Sequence, residues 1–124
     1  MRQTSAIVAL AMAGLVAGVA SPAQADTCNL AATVNPGAEI FLTPELKPTA
    51  AYRGSVLVRL EQNPSPVEIK ISDCQGQYLG AVSIPANDHT AYAAAQLTAV
   101  PPCIRYLVKN PGAMSITISG VGYY

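Results

Sequence analysis

Residues 65–85 read SPVEIKISDCQGQYLGAVSIP, and this stretch decides the fold class. Apolar side chains recur at every second position in Val67, Ile69 and Ile71, stop at Cys74, and then resume. A period of two places alternate side chains on opposite faces of an extended chain, so each run predicts a strand with one buried face. Alternation of apolar and polar positions is typical of antiparallel sheets that face water on one side.

The same alternation continues over most of the chain. Prolines lie between the apolar runs and not within them, as expected because proline has no N–H to donate to a central ladder. The predicted strands are residues 29–34, 39–43, 55–62, 67–73, 78–84, 90–98, 104–109 and 114–119, with inward-facing Tyr78, Val82, Ile84 and Met114 among the apolar positions. Many short strands joined by turns rich in proline and glycine predict an all-β protein, an antiparallel β-sandwich.

Residues 90–98 leave a second interpretation open. Their alanines have high helix propensity, which favours a helix. Read as a strand, the segment has an inner face of Ala93, Ala95 and Leu97 and an outer face that includes Tyr92. The strand is the interpretation we favour because it continues the pattern of the neighbouring runs.

The amino terminus has the pattern of a secretory signal peptide. Arg2 precedes an uncharged apolar run over residues 6–20, and the small-x-small triplet Ala23-Gln24-Ala25 follows. This order predicts cleavage after Ala25 and secretion. The run is shorter than the roughly 20 residues that a membrane span needs, which argues against a retained membrane anchor. No later segment is apolar enough to cross a bilayer, so no integral membrane segment is expected after cleavage. Residues 26–124 are then enough for a single domain.

The charges of the mature chain are few and scattered. The sequence has seven Lys and Arg and seven Asp and Glu, and Arg2 leaves with the signal peptide, so the net charge becomes −1. Electrostatic binding of nucleic acid needs clustered cations, and we therefore expect no nucleic-acid partner. The carboxylates are equally dispersed, and the single histidine has no metal-ligand spacing around it, so neither a metal nor another cofactor is predicted.

Two stretches resemble the bacterial pre-peptidase C-terminal domain, over about residues 54–119. VEIKISDCQG (residues 67–76) is similar to the strand and Asp-x-x-Gly turn of that family, and CIRYLVKNPGAMSITISG (residues 103–120) is similar to its closing hairpin. The matching positions are Glu68, Ile69, Ile71, Asp73, Gly76, Tyr106, Asn110, Gly112, Ile116 and Ile118. The resemblance implies a jelly-roll-like sandwich that binds or stabilises something outside the cell and has no catalytic activity.

Secretion permits disulfides, and the chain has three cysteines, which allow one bridge and leave one sulfur over. If consecutive strands run up and down, Cys74 and Cys103 lie at the same end of the sandwich, and we favour this pair. Such a bridge is worth roughly 3 to 4 kcal/mol in the loop-entropy model. Cys28 falls at that end too, so a disulfide from Cys28 to Cys74 or to Cys103 stays open. The third cysteine could be buried and inert, bridge two chains into a dimer, or be a reactive thiol.

Nothing in the sequence predicts catalysis. A nucleophilic cysteine or serine would need His89 as its base, and this histidine lies in a predicted turn at the end opposite Cys74. The adjacent Asp88 would point away from it on an extended chain, and no Gly-x-Ser-x-Gly elbow is present. We therefore predict no catalytic residue and a protein that is not an enzyme.

Tyrosines are the candidate ligand contacts, because aromatic rings stack on sugars or fill a partner's pocket. Tyr123 and Tyr124 end the chain in SGVGYY, which reads as a tail, and Tyr52 and Tyr78 are further candidates. The alternative for the last two is that one of them covers the edge of the core. The sequence thus predicts a secreted, non-catalytic binding or structural module of the cell envelope or extracellular space.

Its expected partner is an extracellular protein or a polysaccharide. The alternative function is a protease inhibitor that presents a proline-stiffened loop, either TPELKPTAAYRG (residues 43–54) or AVPPCIRY (residues 99–106). A rigid loop loses little entropy on binding, which favours that role.

Overall fold

The computed structural model describes residues 25–50 and 52–124, so the predicted signal peptide lies outside the described residues except for Ala25. The described chain consists of strands and turns, which confirms the all-β prediction. The strands are β1 (Thr27–Val34), β2 (Glu39–Phe41), β3 (Ser55–Gln62), β4 (Val67–Asp73), β5 (Tyr78–Ile84), β6 (Ala91–Gln96), β7 (Ile104–Lys109) and β8 (Ile116–Tyr123). Among the described residues, no helix of a length and hydropathy suited to crossing a membrane occurs.

The strands form two antiparallel sheets of four. The first sheet has the order β1-β8-β3-β6 and the second has the order β2-β7-β4-β5. Apart from β4 and β5, neighbours in each sheet are distant in sequence, because the chain crosses repeatedly from one sheet to the other. This arrangement is that of a jelly roll, in which two packed sheets share one core. The predicted β-sandwich is therefore confirmed, with a jelly-roll strand order.

Inward-facing side chains of both sheets form the core. Leu60 and Ile118 of the first sheet and Ile69 and Tyr106 of the second have at most 1% of their surface exposed. Burying an aliphatic or aromatic side chain of this size stabilises the fold by roughly 1.5 to 3 kcal/mol. The Tyr106 hydroxyl also crosses the core and donates a hydrogen bond of 2.8 Å to the carbonyl of Leu57 in β3. Tyr106 therefore joins the two sheets by both packing and hydrogen bonding.

Residues 91–96 form a strand, and the favoured interpretation of this segment is confirmed. The predicted inner face was partly wrong, because Ala93 is exposed while Ala94 and Ala95 are both buried. The register shows the reason: Ala95 lies opposite Val56 and Ala93 opposite Leu57, so Ala94 is the extra residue of a β-bulge. A bulge changes which side chains face the core, and simple alternation cannot predict it.

The carboxyl-terminal segment is a strand and not the tail that the sequence predicts. β8 continues to Tyr123, and beyond it Asp26 and Tyr124 exchange two backbone hydrogen bonds of 3.0 and 2.9 Å. Gly120 and Gly122 lie within the strand and face inward. Met114, predicted to face the core, lies in the preceding turn with 78% of its surface exposed. The strand thus begins two residues later and ends four residues later than predicted.

Candidate functional site

Three side chains from three strands meet on the outer face of the second sheet. The Lys70 ammonium in β4 lies 2.7 Å from a carboxylate oxygen of Glu39 in β2. The Tyr78 hydroxyl in β5 donates a hydrogen bond to the other oxygen of that carboxylate, and Lys70 Nζ lies 4.8 Å from the centre of the Tyr78 ring. We call this set the Glu39–Lys70–Tyr78 network. It spans the sheet across β7, whose outward-facing Leu107 is only 5% exposed.

The local sequence explains why these side chains share a face. Ile69 and Ile71 face the core, so Lys70 between them must point outward. Tyr78 was predicted to face inward, but 54% of its surface is exposed. The pairing of β4 with β5 shifts register after Ile71, which places Tyr78 opposite Ser72 and turns its ring to the outer face.

The network keeps its groups in defined charge states. The hydrogen bond from Lys70 and, next, that from Tyr78 lower the pKa of Glu39. The same carboxylate raises the pKa of Lys70 and, by accepting its hydroxyl proton in a hydrogen bond, raises the pKa of Tyr78. At neutral pH the network therefore contains one carboxylate, one ammonium and one neutral phenol, so the charges of Glu39 and Lys70 balance.

A shallow groove of about 450 Å³ lies next to this network, lined by Glu68, Lys70, Tyr78, Leu79, Gly80 and Ala81. The small side chain of Ala81 leaves it open, while Lys70 and Glu68 supply polar atoms. A second aromatic ring lies on the same face, where the Arg105 guanidinium stacks 3.6 Å from the centre of the Phe41 ring. Phe41 is 50% exposed. The face thus offers two exposed rings and several hydrogen-bonding groups, which suit ligand binding by stacking and hydrogen bonding.

The disulfide joins Cys74 and Cys103, with 5.5 Å between their Cα atoms, as favoured from the sequence. It ties the turn after β4 to the start of β7. A carboxylate oxygen of Glu45 lies within 4.8 Å of both sulfurs, which places three ligand-type residues together. Sulfurs that bond to each other are not thiolates, and metal coordination by cysteine needs the thiolate. The role of Cys74 is therefore structural, and this cluster is not a metal centre.

Cys28 is the remaining, free cysteine, and its side chain lies half-buried on the inner side of β1. Its neighbours include Tyr106 and Gly122. Burial raises the pKa of this thiol to about 11, from an ordinary value of 9.0. This environment is the one expected for an inert, structural cysteine. Bridging of two chains through Cys28 stays a prediction from the sequence.

We expect Cys28 to react slowly with thiol reagents in the folded protein. A pKa two units above the ordinary value lowers the reactive thiolate fraction near pH 8 about 100-fold. The measurement is the rate of iodoacetamide labelling at pH 8, followed by intact mass, with the urea-unfolded protein as control. Labelling at the rate of the unfolded protein would contradict the inward orientation of Cys28.

His89 and Asp88 lie in the turn between β5 and β6. The Nδ1 atom of His89 lies 3.0 Å from the carbonyl of Leu60. The Asp88 carboxylate accepts hydrogen bonds from the backbone and hydroxyl of Thr90, at 3.0 and 2.7 Å, and from the Tyr92 hydroxyl. These bonds hold Asp88 within its own turn, and the hydrogen bond from Tyr92 is the largest cause of its lowered pKa. Absence of enzymatic activity stays a prediction.

The four tyrosines singled out from the sequence do not form one site. Tyr78 lies on the second sheet, whereas Tyr123 lies on the outer face of the first, in edge-to-face contact with Tyr52 at 6.4 Å between ring centres. Tyr124 packs against the edge of the core, as in the alternative given for it above. Sequence reasoning missed Glu39, Phe41 and Arg105, because their partners come from strands that are distant along the chain.

No protein-family model matches this chain, and no curated protein matches it. The resemblance to the pre-peptidase C-terminal domain therefore stays a prediction. Among solved structures, the chain is similar to the one described as the crystal structure of PirA, at 15% sequence identity and a TM-score of 0.48. The similarity covers 77% of this chain and 93% of PirA. At this level the likeness says nothing about function.

Proposed function

We propose that this protein is a small secreted binding module without catalytic activity, and that it binds a polysaccharide at the groove beside the Glu39–Lys70–Tyr78 network. The observation that carries the proposal is the exposed Tyr78 ring next to a groove with polar walls. Sugar rings have apolar faces that stack on aromatic rings. Their hydroxyls can accept a hydrogen bond from Lys70 and donate one to Glu68.

The charges favour a neutral ligand. Glu39 already compensates Lys70 at 2.7 Å, so an anionic ligand would compete with that carboxylate. Arg105 is likewise engaged, since it stacks on Phe41 and its Nε lies 3.5 Å from the carbonyl of Thr43. A neutral polysaccharide binds by stacking and hydrogen bonding, so neither the Glu39–Lys70 ion pair nor the stacking of Arg105 on Phe41 has to break.

The titration of the network supports binding and not proton transfer. General acid–base catalysis works best with a group whose pKa lies near the operating pH. Here the pKa of Glu39 is lowered and that of Lys70 is raised, so both are held in their charged forms at neutral pH. Groups with these properties orient a ligand and are poor proton donors or acceptors.

We expect Tyr78→Ala to lower retention on an insoluble neutral polysaccharide about 10-fold, because loss of a stacking aromatic ring costs on the order of 1.5 kcal/mol. Tyr78→Phe keeps the ring and loses only the hydroxyl, so it should retain most of the binding. The measurement is a pull-down over a panel of insoluble polysaccharides, with the protein remaining in solution measured at several loadings.

Tyr123→Ala is the matched control, because this tyrosine lies on the outer face of the first sheet. Retention of the wild-type protein by none of the polysaccharides would count against the proposed ligand. Equal losses from Tyr78→Ala and Tyr123→Ala would mean that the groove is not the binding site.

One observation favours the alternative of an extracellular protease inhibitor. Of the candidate loop 99–106, residues 104–106 belong to β7 and residues 99–103 form the loop. These expose 47% of Val100 next to Pro101 and Pro102, and the disulfide at Cys103 anchors their end. The other candidate loop buries Thr43 and Pro48, so it is less available. An inhibitor would titrate a serine protease stoichiometrically and stay in solution in the pull-down, which distinguishes the two functions.

A further inference from the structure

Strand β1 forms one edge of the first sheet, with β8 as its neighbour on the other side. In an antiparallel ladder, residues that exchange both hydrogen bonds with the partner alternate with residues that do not. Asp26 exchanges both backbone hydrogen bonds with Tyr124. Because the pattern alternates, the even-numbered residues of β1 are the ones whose backbone groups bond to β8. The residues that direct their N–H and C=O groups to the free edge are therefore Thr27, Asn29, Ala31 and Thr33.

This edge has none of the features that usually prevent pairing with another chain. Exposed edges are commonly protected by charged side chains, proline, bulges or short length. β1 is eight residues long, contains neither a charged residue nor proline, and pairs with β8 without a register shift. The side chains beside the free groups are small or uncharged and exposed.

The other three edges are protected. β2 has only three residues and contains Glu39. β6 contains the bulge at Ala94. The edge strand β5 is irregular, because its pairing with β4 shifts register between Ile71 and Ser72. β1 is thus the regular edge among the described strands, and pairing along it would continue the first sheet.

We propose that β1 pairs antiparallel with β1 of a second copy of this chain, about a two-fold axis at Leu30. Residues directly opposite in such a pair must both point their backbone groups to the shared edge. With the axis at Leu30, Thr27 faces Thr33 of the second copy and Asn29 faces Ala31 of the second copy. This register pairs every free N–H and C=O group of those residues, whereas an axis at Ala31 leaves Thr27 without a partner inside the strand.

The side chains fit this register on both faces. A two-fold axis makes each contact reciprocal, which is the usual symmetry of a dimer. On the outer face, threonine lies opposite threonine, a favourable cross-strand pair. On the inner face, Leu30 lies opposite Leu30 of the second copy and Cys28 opposite Ala32 of the second copy, so the two thiols do not meet. The dimer is therefore non-covalent, and its pairing is independent of the groove on the second sheet.

The first test is the mass of the mature protein in solution, measured by sedimentation equilibrium with and without reductant. We expect a dimer in both conditions. Ala31→Pro should convert it to a monomer, because proline removes an N–H that points to the free edge and costs no bond to β8. Ala31→Ser keeps that N–H and should remain dimeric. A monomeric wild-type protein at 100 μM, or a dimer that survives Ala31→Pro, would overturn the proposal.

The second test covers the case in which Ala31→Pro does not fold. In a Cys28→Ser background, the pair Thr27→Cys with Thr33→Cys should form an intermolecular disulfide on mild oxidation. Hydrogen-bonded residues in an antiparallel pair have Cα atoms about 5.5 Å apart, which is within disulfide range. The controls are the two single-cysteine variants, since neither position faces itself in this register. Cross-linking of a single variant as strong as that of the pair would refute the register.

Discussion

Replacing Gly120 with alanine should lower the free energy of unfolding by about 3 kcal/mol, the upper end of what overpacking usually costs. A Cβ atom at this position would lie 2.5 Å from the carbonyl oxygen of Arg59 and 2.9 Å from the Cα of Leu60. Both atoms belong to the backbone of β3, which cannot rotate away as a side chain can. The strand would have to move away from β8, and the ladder between the two central strands of the first sheet would be disturbed.

The measurement is urea unfolding of Gly120→Ala, with Gly112→Ala as the matched control. Gly112 lies in an exposed turn, and a Cβ there would lie 3.2 Å from the side-chain oxygen of Asn110, a contact without overlap of backbone atoms. This control should therefore change the stability by less than about 1 kcal/mol. For a domain of this size, the loss in Gly120→Ala corresponds to a Tm lower by roughly 12 to 24 °C. Equal stabilities of the two variants would mean that β3 and β8 do not approach each other this closely.

The same glycine shows where the sequence pattern predicts the fold and where it does not. Four strands, residues 55–62, 67–73, 78–84 and 104–109, have the bounds expected from alternation. In three of them, 55–62, 67–73 and 104–109, an apolar row is buried, whereas in 78–84 only Ile84 is buried. SGVGYY has no row of alternating apolar residues, and its two glycines indicate a turn and not a strand. In the folded chain, Gly120 and Gly122 make room for β3 and for the Tyr106 ring. That reason depends on neighbours from distant parts of the chain.

The helix propensity of the alanines in β6 is outweighed for a similar reason. Ala94 and Ala95 are buried where the two sheets approach each other at Gly80, and larger side chains would not fit there. Tertiary packing commonly overrides intrinsic propensity, particularly in strands. A sequence read alone contains the alanines but not the surface against which they pack.

The candidate site was less predictable than the fold. Alternation correctly assigns Glu68 and Lys70 to the outer face. It cannot predict that Glu39 reaches Lys70, because this contact requires β2 and β4 to flank β7 in the second sheet. It also assigns the wrong face to Tyr78, whose position depends on a register shift. Contacts between strands follow from the crossovers of the jelly roll, which no local pattern specifies.

Removal of the disulfide should have an effect as large as that of Gly120→Ala. Cys74 and Cys103 are separated by 29 residues. In the loop-entropy model, a bridge closing a loop of this length stabilises the fold by roughly 3 to 4 kcal/mol, by restricting the unfolded chain. Small domains are commonly stable by only about 5 to 15 kcal/mol, so this is a large share.

The variant to measure is Cys74→Ser with Cys103→Ser, by urea unfolding without reductant. Cys28→Ala is the control, because it removes the free cysteine and leaves the bridge intact. The bridged segment should lose little structure in the folded variant, since Leu46 and Ile104 exchange two backbone hydrogen bonds of 2.9 and 2.8 Å next to Cys103. We therefore expect a folded but less stable double variant, whereas a loss below about 1 kcal/mol would mean that the unfolded chain is already compact between the two cysteines.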